Sequence, residues 1–123
     1  MKESIIGRKS YDFASRIVKA YRFLVSDHKE YVLSKQLLRS GTSIGANVEE
    51  ALAASSSADF VHKLNIAAKE ARETSYWLRL LHDNDYLPDT VFQSIHGENV
   101  EIIKVLSSIL LTTKANMLAQ KNS

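Results

Sequence analysis

The chain has 123 residues, of which 45% are hydrophobic and 24% charged, and its formal net charge at pH 7 is +2. This length corresponds to one domain that can bury a core without covalent cross-links. The chain has no cysteine, which excludes disulfides and thiolate metal ligands and fits a reducing cytoplasm. No apolar run is typical of a signal peptide or approaches the roughly 18 residues of a membrane span, so we expect a cytoplasmic protein.

The charge is unevenly distributed along the chain. Residues 1–39 carry nine Lys or Arg and four Asp or Glu, a balance of +5, whereas residues 40–123 carry seven and ten, a balance of −3. A basic first third can face a nucleic acid or an acidic partner, and it can equally be a solvated helix face. The candidate nucleic-acid-binding residues in this part of the chain are Arg16, Lys19, Arg22, Lys35 and Arg39.

The first predicted helix follows a flexible N-terminal arm, which we expect to span residues 1–9. Ser10 or Asp12 can act as its N-cap. Its apolar line recurs at helical spacing and consists of Phe13, Ile17, Tyr21 and Leu24. The pair Ser26-Asp27 indicates a turn and a new N-cap, after which a second helix is predicted from about residue 29 to 53.

The second predicted helix contains Gly41 and Gly45, each of which costs about 1 kcal/mol relative to alanine inside a helix. The run from Ser40 to Ser43 also has the composition of a turn. The apolar period keeps its phase across the glycines, which favours one continuous helix. The glycines then indicate a close approach of another helix, across which Thr42, Ser43 and Asn47 can form hydrogen bonds.

The third helix is predicted to end near His82, after a connection in which Ser56 and Asp59 have the spacing of a capping box. Its apolar seam has alternating spacings of four and three and consists of Phe60, Leu64, Ala67, Ala71, Thr74, Leu78 and Leu81. Small residues in the middle of this seam permit a close neighbour.

The fourth helix is predicted from Pro88 to about Leu118, with residues 119–123 frayed. Its core seam is expected to consist of Phe92, Ile95, Ile102, Leu106 and Ile109. Further apolar residues lie outside that seam and indicate a subunit contact, namely Val91, Ile103, Val105, Leu110 and Leu111. Four helices with short turns predict an all-α, antiparallel up-down-up-down four-helix bundle over residues 10–118.

No arrangement of residues in the sequence is typical of a catalytic or metal site. The chain lacks the Glu-x-x-His pairs of a two-metal bundle, a Gly-x-Ser-x-Gly turn and a phosphate-binding glycine loop. The four histidines have no repeated spacing. We therefore predict no enzyme, no metal, no cofactor and no small-molecule substrate. Glu50, Glu70 and Glu73 are expected to form ion pairs with Lys69, Arg72, Arg39 or a neighbouring subunit.

Two runs of sequence resemble a known family. The run from Leu33 to Ala51, with Ser-Ile-Gly-Ala-Asn at its centre, resembles the signature of four-helix-bundle proteins related to the 23S rRNA intervening-sequence proteins. The run from Phe60 to Leu78 resembles that family's third helix. Gly45 stands where many of these relatives carry proline, and the chain is more similar to a branch that is not tied to rRNA genes.

The resemblance implies a small bundle, a ring-shaped homo-oligomer that is pentameric in relatives, and a link to RNA. The accessory protein of diversity-generating retroelements is a similar bundle that works with a reverse transcriptase and its RNA. The resemblance transfers no catalytic residue. The candidate helix-packing and assembly residues are Gly41, Ser43, Gly45, Asn47, Glu50 and Trp77.

Two functional hypotheses follow. The first is a non-enzymatic homo-oligomeric module that binds RNA or a protein–RNA complex through a basic surface repeated around the assembly. The alternative is a protein–protein scaffold without a nucleic-acid role. Convergence of the five candidate basic residues on one exposed surface would favour the first hypothesis. Their dispersal, or their neutralisation by acidic residues, would favour the second.

Overall fold

The structure, a computed structural model, describes residues 4–122, and this range contains four α-helices and no strand. The helices are α1 (Ile5–His28), α2 (Leu33–Leu52), α3 (Ser57–Asp83) and α4 (Asp89–Lys121). Each helix packs against two others: α2 lies between α1 and α3, and α4 contacts α3 and α1. The prediction of an all-α fold with four helices is confirmed.

The first helix begins earlier than predicted. Ser4 is its N-cap, since the Ser4 hydroxyl accepts a hydrogen bond of 3.1 Å from the backbone N–H of Gly7. Ile6 is buried, so the first turn contributes to the core. Residues 5–9 therefore belong to α1 and not to a flexible arm, while residues 1–3 of that predicted arm lie outside the described residues. Ser10 lies inside the helix.

The turn between α1 and α2 lies later than the predicted one at Ser26-Asp27. Lys29 ends α1 in the left-handed conformation, with a φ of 52°. Glu30 then caps α2, because its carboxylate accepts hydrogen bonds from the backbone N–H groups of Val32, Leu33 and Ser34. Burial acts to raise the pKa of Glu30, but these hydrogen bonds outweigh it and hold the pKa below its ordinary value.

One continuous hydrophobic cluster forms the core of the described residues. The predicted seam of α3 is buried except for Phe60, which is half-buried at the edge of the core. In α1 the buried position is Ala20, and the predicted Tyr21 is half-buried. In α4 the buried position is Leu110, one residue beyond the predicted Ile109.

A buried asparagine completes the core face of α4. Asn99 fills the step between Ile95 and Ile102 that the apolar pattern left empty, and it has no exposed surface. Its side-chain amide donates a hydrogen bond of 2.8 Å to the backbone carbonyl of Ala71 in α3. The other side-chain atom, Oδ1, has no hydrogen-bond partner among the described residues.

The ends of α3 and α4 follow from local capping. The Ser56 hydroxyl accepts a hydrogen bond of 3.1 Å from the backbone N–H of Asp59, as the capping-box spacing predicted. Pro88 precedes the first residue of α4. The helix continues through Gly97 and reaches Lys121, so residues 119–121 are helical and not frayed, and Ser123 lies outside the described residues.

Among residues 4–122, α4 is the one helix whose length and composition would allow it to cross a membrane. Its most apolar window has a mean hydropathy of 1.3, although 17% of that window is buried in the protein. The sequence predicted no membrane span, because scattered polar residues interrupt the apolar residues of α4. Core helices of soluble proteins can have similar length and composition, but most residues of this part of α4 are half-buried or exposed.

Candidate assembly surface and basic residues

The glycines of α2 lie against α1. A Cβ atom at Gly41 would lie 2.7 Å from Cγ1 and 2.8 Å from Cγ2 of Ile17, a side chain that is fully buried. A Cβ atom at Gly45 would lie 3.2 Å from the backbone carbonyl oxygen of Ser10. The helix is continuous across both glycines, and these short distances explain why both positions lack a side chain.

The polar side chains of the glycine segment do not bridge to another helix as predicted. Ser43 donates a hydrogen bond to the carbonyl of Arg39, and Asn47 donates one to the carbonyl of Ser43, so both bonds stay within α2. The hydrogen bond between helices is made instead by Thr74 of α3, whose hydroxyl lies 3.1 Å from the hydroxyl of Ser40. Both hydroxyl-bearing residues are buried.

The contact between Ser40 and Thr74 could not be predicted from the sequence, because no pattern of serine and threonine distinguishes a buried pair from surface residues. The only signal was the position of Thr74 within the apolar seam of α3. Burial of Thr74 would not have identified Ser40, because the Thr74 hydroxyl also donates a hydrogen bond of 2.7 Å to the carbonyl of Glu70 within α3.

A polar network joins α2 and α3 at the surface. The guanidinium of Arg39 donates a hydrogen bond of 2.6 Å to Glu73 and lies 4.0 Å from Glu70. Glu73 also accepts a hydrogen bond of 3.1 Å from the indole N–H of Trp77. Trp77 packs against the core and contacts the ring of Tyr76 edge-on. Glu73 therefore neutralises Arg39. Trp77 packs within its own subunit.

A second set of ion pairs joins α1 and α4. Arg16 donates hydrogen bonds of 2.7 Å to Glu98 and 3.0 Å to Ser94. About two turns earlier in α1, Lys9 forms an ion pair of 3.0 Å with Glu101. These contacts place Arg16 between α1 and α4, on a different pair of helices from Arg39.

The remaining candidate basic residues, Lys19, Arg22 and Lys35, are exposed and form no ion pair within residues 4–122. Two of the five predicted basic residues, Arg16 and Arg39, are thus neutralised by acidic residues, and they lie between different helices. Lys19 lies beside Arg16, because both line one groove between α1 and α4. Glu50 is also exposed and has no ion pair within the described range.

Exposed apolar side chains recur along one face of α4. Val100, Ile103, Ser107, Leu111 and Leu118 are spaced by three, four, four and seven residues, which places them on one face of the helix, flanked by Lys104 and Lys114. We call this face the outer α4 stripe. It is rotated away from the core positions Ile102 and Leu106. Leu111 is 72% exposed and Leu118 is 60% exposed.

The histidines are distributed over the molecule, and the described residues contain no group of His, Asp or Glu suited to a metal ion. His96 shares a hydrogen bond of 2.9 Å with the hydroxyl of Ser75 and stacks on the ring of Phe92. Burial and the positive charge of Arg79 lower its pKa, so its ring is neutral at physiological pH. The prediction that the protein is not an enzyme stays a prediction.

The fold and surfaces define a small four-helix protein with a close α1–α2 contact at two glycines, two surface ion-pair networks and an exposed apolar stripe. The family model for the 23S rRNA-intervening sequence protein matches residues 2–108. The chain therefore belongs to the 23S rRNA-intervening sequence protein family, which confirms the resemblance noted in its sequence.

A solved structure supports this assignment. The crystal structure of a protein of unknown function from the S23 ribosomal protein family, from Bacteroides thetaiotaomicron, is 55% identical in sequence. The match covers 86% of this chain and 98% of that chain, with a TM-score of 0.85. No curated protein matches the chain. The family match ends at residue 108, so Leu111 and Leu118 of the outer α4 stripe lie beyond it.

Proposed function

We propose that this protein is a non-enzymatic, homo-oligomeric helical-bundle module, whose subunits associate through the outer α4 stripe. The observation that carries the proposal is the exposure of Leu111 and Leu118 at a spacing of seven residues on one helix face. Two large apolar side chains at this spacing fit a seam between helices of different subunits. The absence of cysteine is compatible with a role in the cytoplasm.

The bundle has antiparallel, up-down-up-down topology in this proposal. Three pairs of contacts support it, because in each pair the residue number rises on one helix and falls on the other. Between α1 and α2, Ser10 is near Gly45 and Ile17 is near Gly41. Lys9 and Arg16 of α1 pair with Glu101 and Glu98 of α4. Ala71 and Ser75 of α3 bond to Asn99 and His96 of α4.

Burial of the stripe supplies a driving force for association. Moving a leucine side chain from full exposure to full burial contributes about 1.5–3 kcal/mol. Two leucines per subunit, both largely exposed in the single chain, would therefore contribute several kcal/mol at each contact. Family resemblance implies a ring of five subunits. Leu111 and Leu118 lie beyond the family match, so their contact is proposed for this chain and is not carried over from its relatives.

The test is the molar mass of the purified protein in solution, measured by sedimentation equilibrium and native mass spectrometry. The double variant Leu111→Glu/Leu118→Glu should shift the mass toward that of the 13.8 kDa monomer. The matched control is Tyr11→Glu combined with Val32→Glu, which introduces the same charge at two apolar residues that are 68% and 70% exposed and lie outside α4. The control should retain the oligomer.

Two results would contradict this assignment. A wild-type protein that is monomeric at micromolar concentration would contradict the proposed homo-oligomeric function. Flotation of the wild-type protein with liposomes, abolished by the same double variant, would instead assign the apolar part of α4 to a membrane. Thermal unfolding followed by circular dichroism should accompany each variant, so that a loss of mass is not confused with a loss of fold.

RNA binding is the second candidate function. It is supported by the +5 balance of residues 1–39, by exposed Lys19, Arg22 and Lys35, and by the family description, which refers to 23S rRNA. Binding of a labelled structured RNA should weaken steeply between low and moderate salt. Arg22→Glu combined with Lys35→Glu should abolish it, whereas Lys69→Glu combined with Arg72→Glu, at two exposed residues of α3, serves as the charge-matched control. Absence of binding at low salt would leave the protein-scaffold function.

A further inference from the structure

A groove of about 510 Å³ lies between α1 and the beginning of α4. Its apolar lining includes Ala20, Ile95 and Leu87, all of which are buried, and the half-buried ring of Phe23. Val91 lies at the rim, where it is 38% exposed. This volume and the mainly apolar lining are typical of sites for small organic ligands.

Two cationic side chains from α1 also line the groove. Arg16 uses one terminal nitrogen, Nη1, for its hydrogen bonds to Glu98 and Ser94, so Glu98 offsets its charge while its other N–H donors remain available. Lys19 has no ion pair within residues 4–122.

The groove is elongated and asymmetric. Arg16 and Phe23 both line it and are separated by seven residues of α1, which corresponds to about 10 Å along the helix axis. The cations lie toward the Arg16 end, whereas Phe23 and Leu87 form an apolar end. A ligand that matches both ends carries an anionic head and an extended aliphatic chain.

We propose that this groove binds a medium-chain aliphatic carboxylate, with the carboxylate at Arg16 and Lys19 and the chain along Phe23 and Leu87. The proposal is independent of the assembly function. The α4 residues of the groove end at Ile95, whereas the outer α4 stripe begins at Val100. The groove and the stripe therefore use different parts of α4, and each can fail experimentally without the other.

The first experiment is calorimetric titration of the wild-type protein with decanoate below its micelle concentration, alongside decanol and decylammonium. Decanoate should bind with a saturable isotherm, decanol more weakly, and decylammonium not measurably. Lys19→Gln should weaken decanoate binding about three- to fivefold, the range expected for an exposed ion pair. Lys35→Gln, which removes an exposed lysine on α2, should leave the affinity unchanged.

The second experiment uses the absence of native cysteine. The thiol introduced by Val91→Cys should react with iodoacetamide in the free protein and be protected by decanoate. The thiol introduced by Val32→Cys is the control and should react equally with and without decanoate. The proposal is overturned if the three probes bind alike, if Lys19→Gln has no effect, or if a second subunit already protects the thiol at position 91.

Discussion

Replacement of Gly41 by alanine has two opposing effects on the free energy of unfolding. Alanine favours the helical backbone by about 1 kcal/mol relative to glycine. The added Cβ would lie 2.7 and 2.8 Å from two carbons of Ile17, which is fully buried and β-branched, so it cannot rotate away cheaply. Overpacking of this kind costs about 1–3 kcal/mol. We expect Gly41→Ala to lower the free energy of unfolding by about 1 kcal/mol, and by 2 at most.

The assay is urea unfolding followed by circular dichroism at one fixed protein concentration, because association also affects apparent stability. Gly97→Ala is the matched control: Gly97 lies in an exposed part of α4, and a Cβ there would meet nothing within 4 Å. It should raise stability by about 1 kcal/mol. In an Ile17→Ala background, Gly41→Ala should also become neutral or stabilising, a coupling of about 2 kcal/mol. Equal stabilisation by both glycine substitutions would refute the reasoning.

Three further predictions concern Glu30, His96 and Asn99. The folded-state pKa of Glu30 is below the ordinary 4.5, so its contribution is full above that value and is lost as pH falls through and below it. Glu30→Gln should flatten this acid limb of stability, measured by urea unfolding, and cost about 1 kcal/mol at pH 7. The lowered pKa of His96 likewise means that the native state favours the neutral ring. Protonation of His96 should therefore lower the free energy of unfolding as pH falls below about 6.5, and His96→Gln should reduce this dependence of stability on pH. Asn99→Leu removes a buried acceptor without a partner and should raise the thermal midpoint, with stability higher by about 1 kcal/mol.

Each of these predictions has a result that would contradict it. An acid limb unchanged in Glu30→Gln would assign that limb to other carboxylates. A slope between pH 7.5 and 5.5 that is unchanged in His96→Gln would mean that the ring titrates alike in the folded and unfolded states. A lower thermal midpoint for Asn99→Leu would show that the bond from Asn99 to the Ala71 carbonyl outweighs the unpaired Oδ1.

The helices were predictable because their apolar residues recur at helical spacing, and a single core requires that pattern. The glycine segment shows how far this reaches: the phase of the apolar residues gave a continuous helix despite Gly41 and Gly45. Helix ends were less predictable. Ser4, Ser10 and Asp12 are all competent N-caps by type, and only the burial of Ile6 in the folded core selects Ser4.

Contacts between polar side chains could not be obtained from the pattern. The bond between Ser40 and Thr74 depends on the rotation of α2 against α3, and a rotation of one residue would separate the two hydroxyls. Asn99 interrupts an apolar series, which an exposed polar residue would do equally well. Its burial becomes evident only when the carbonyl of Ala71 lies within hydrogen-bond distance.

The arrangement of charge bears on the choice between scaffold and RNA-binding functions. A +5 balance in residues 1–39 predicts a basic field only if the acidic residues of the later helices lie elsewhere. Packing brings Glu98 to Arg16 and Glu73 to Arg39, so part of the positive charge is neutralised within the subunit. The outer α4 stripe, by contrast, has no partner within the described part of the subunit. Association of copies would bury these apolar side chains, whereas nucleic-acid binding would leave them exposed. The distribution of charge and apolar surface therefore favours the assembly module, and the molar mass in solution is the decisive measurement.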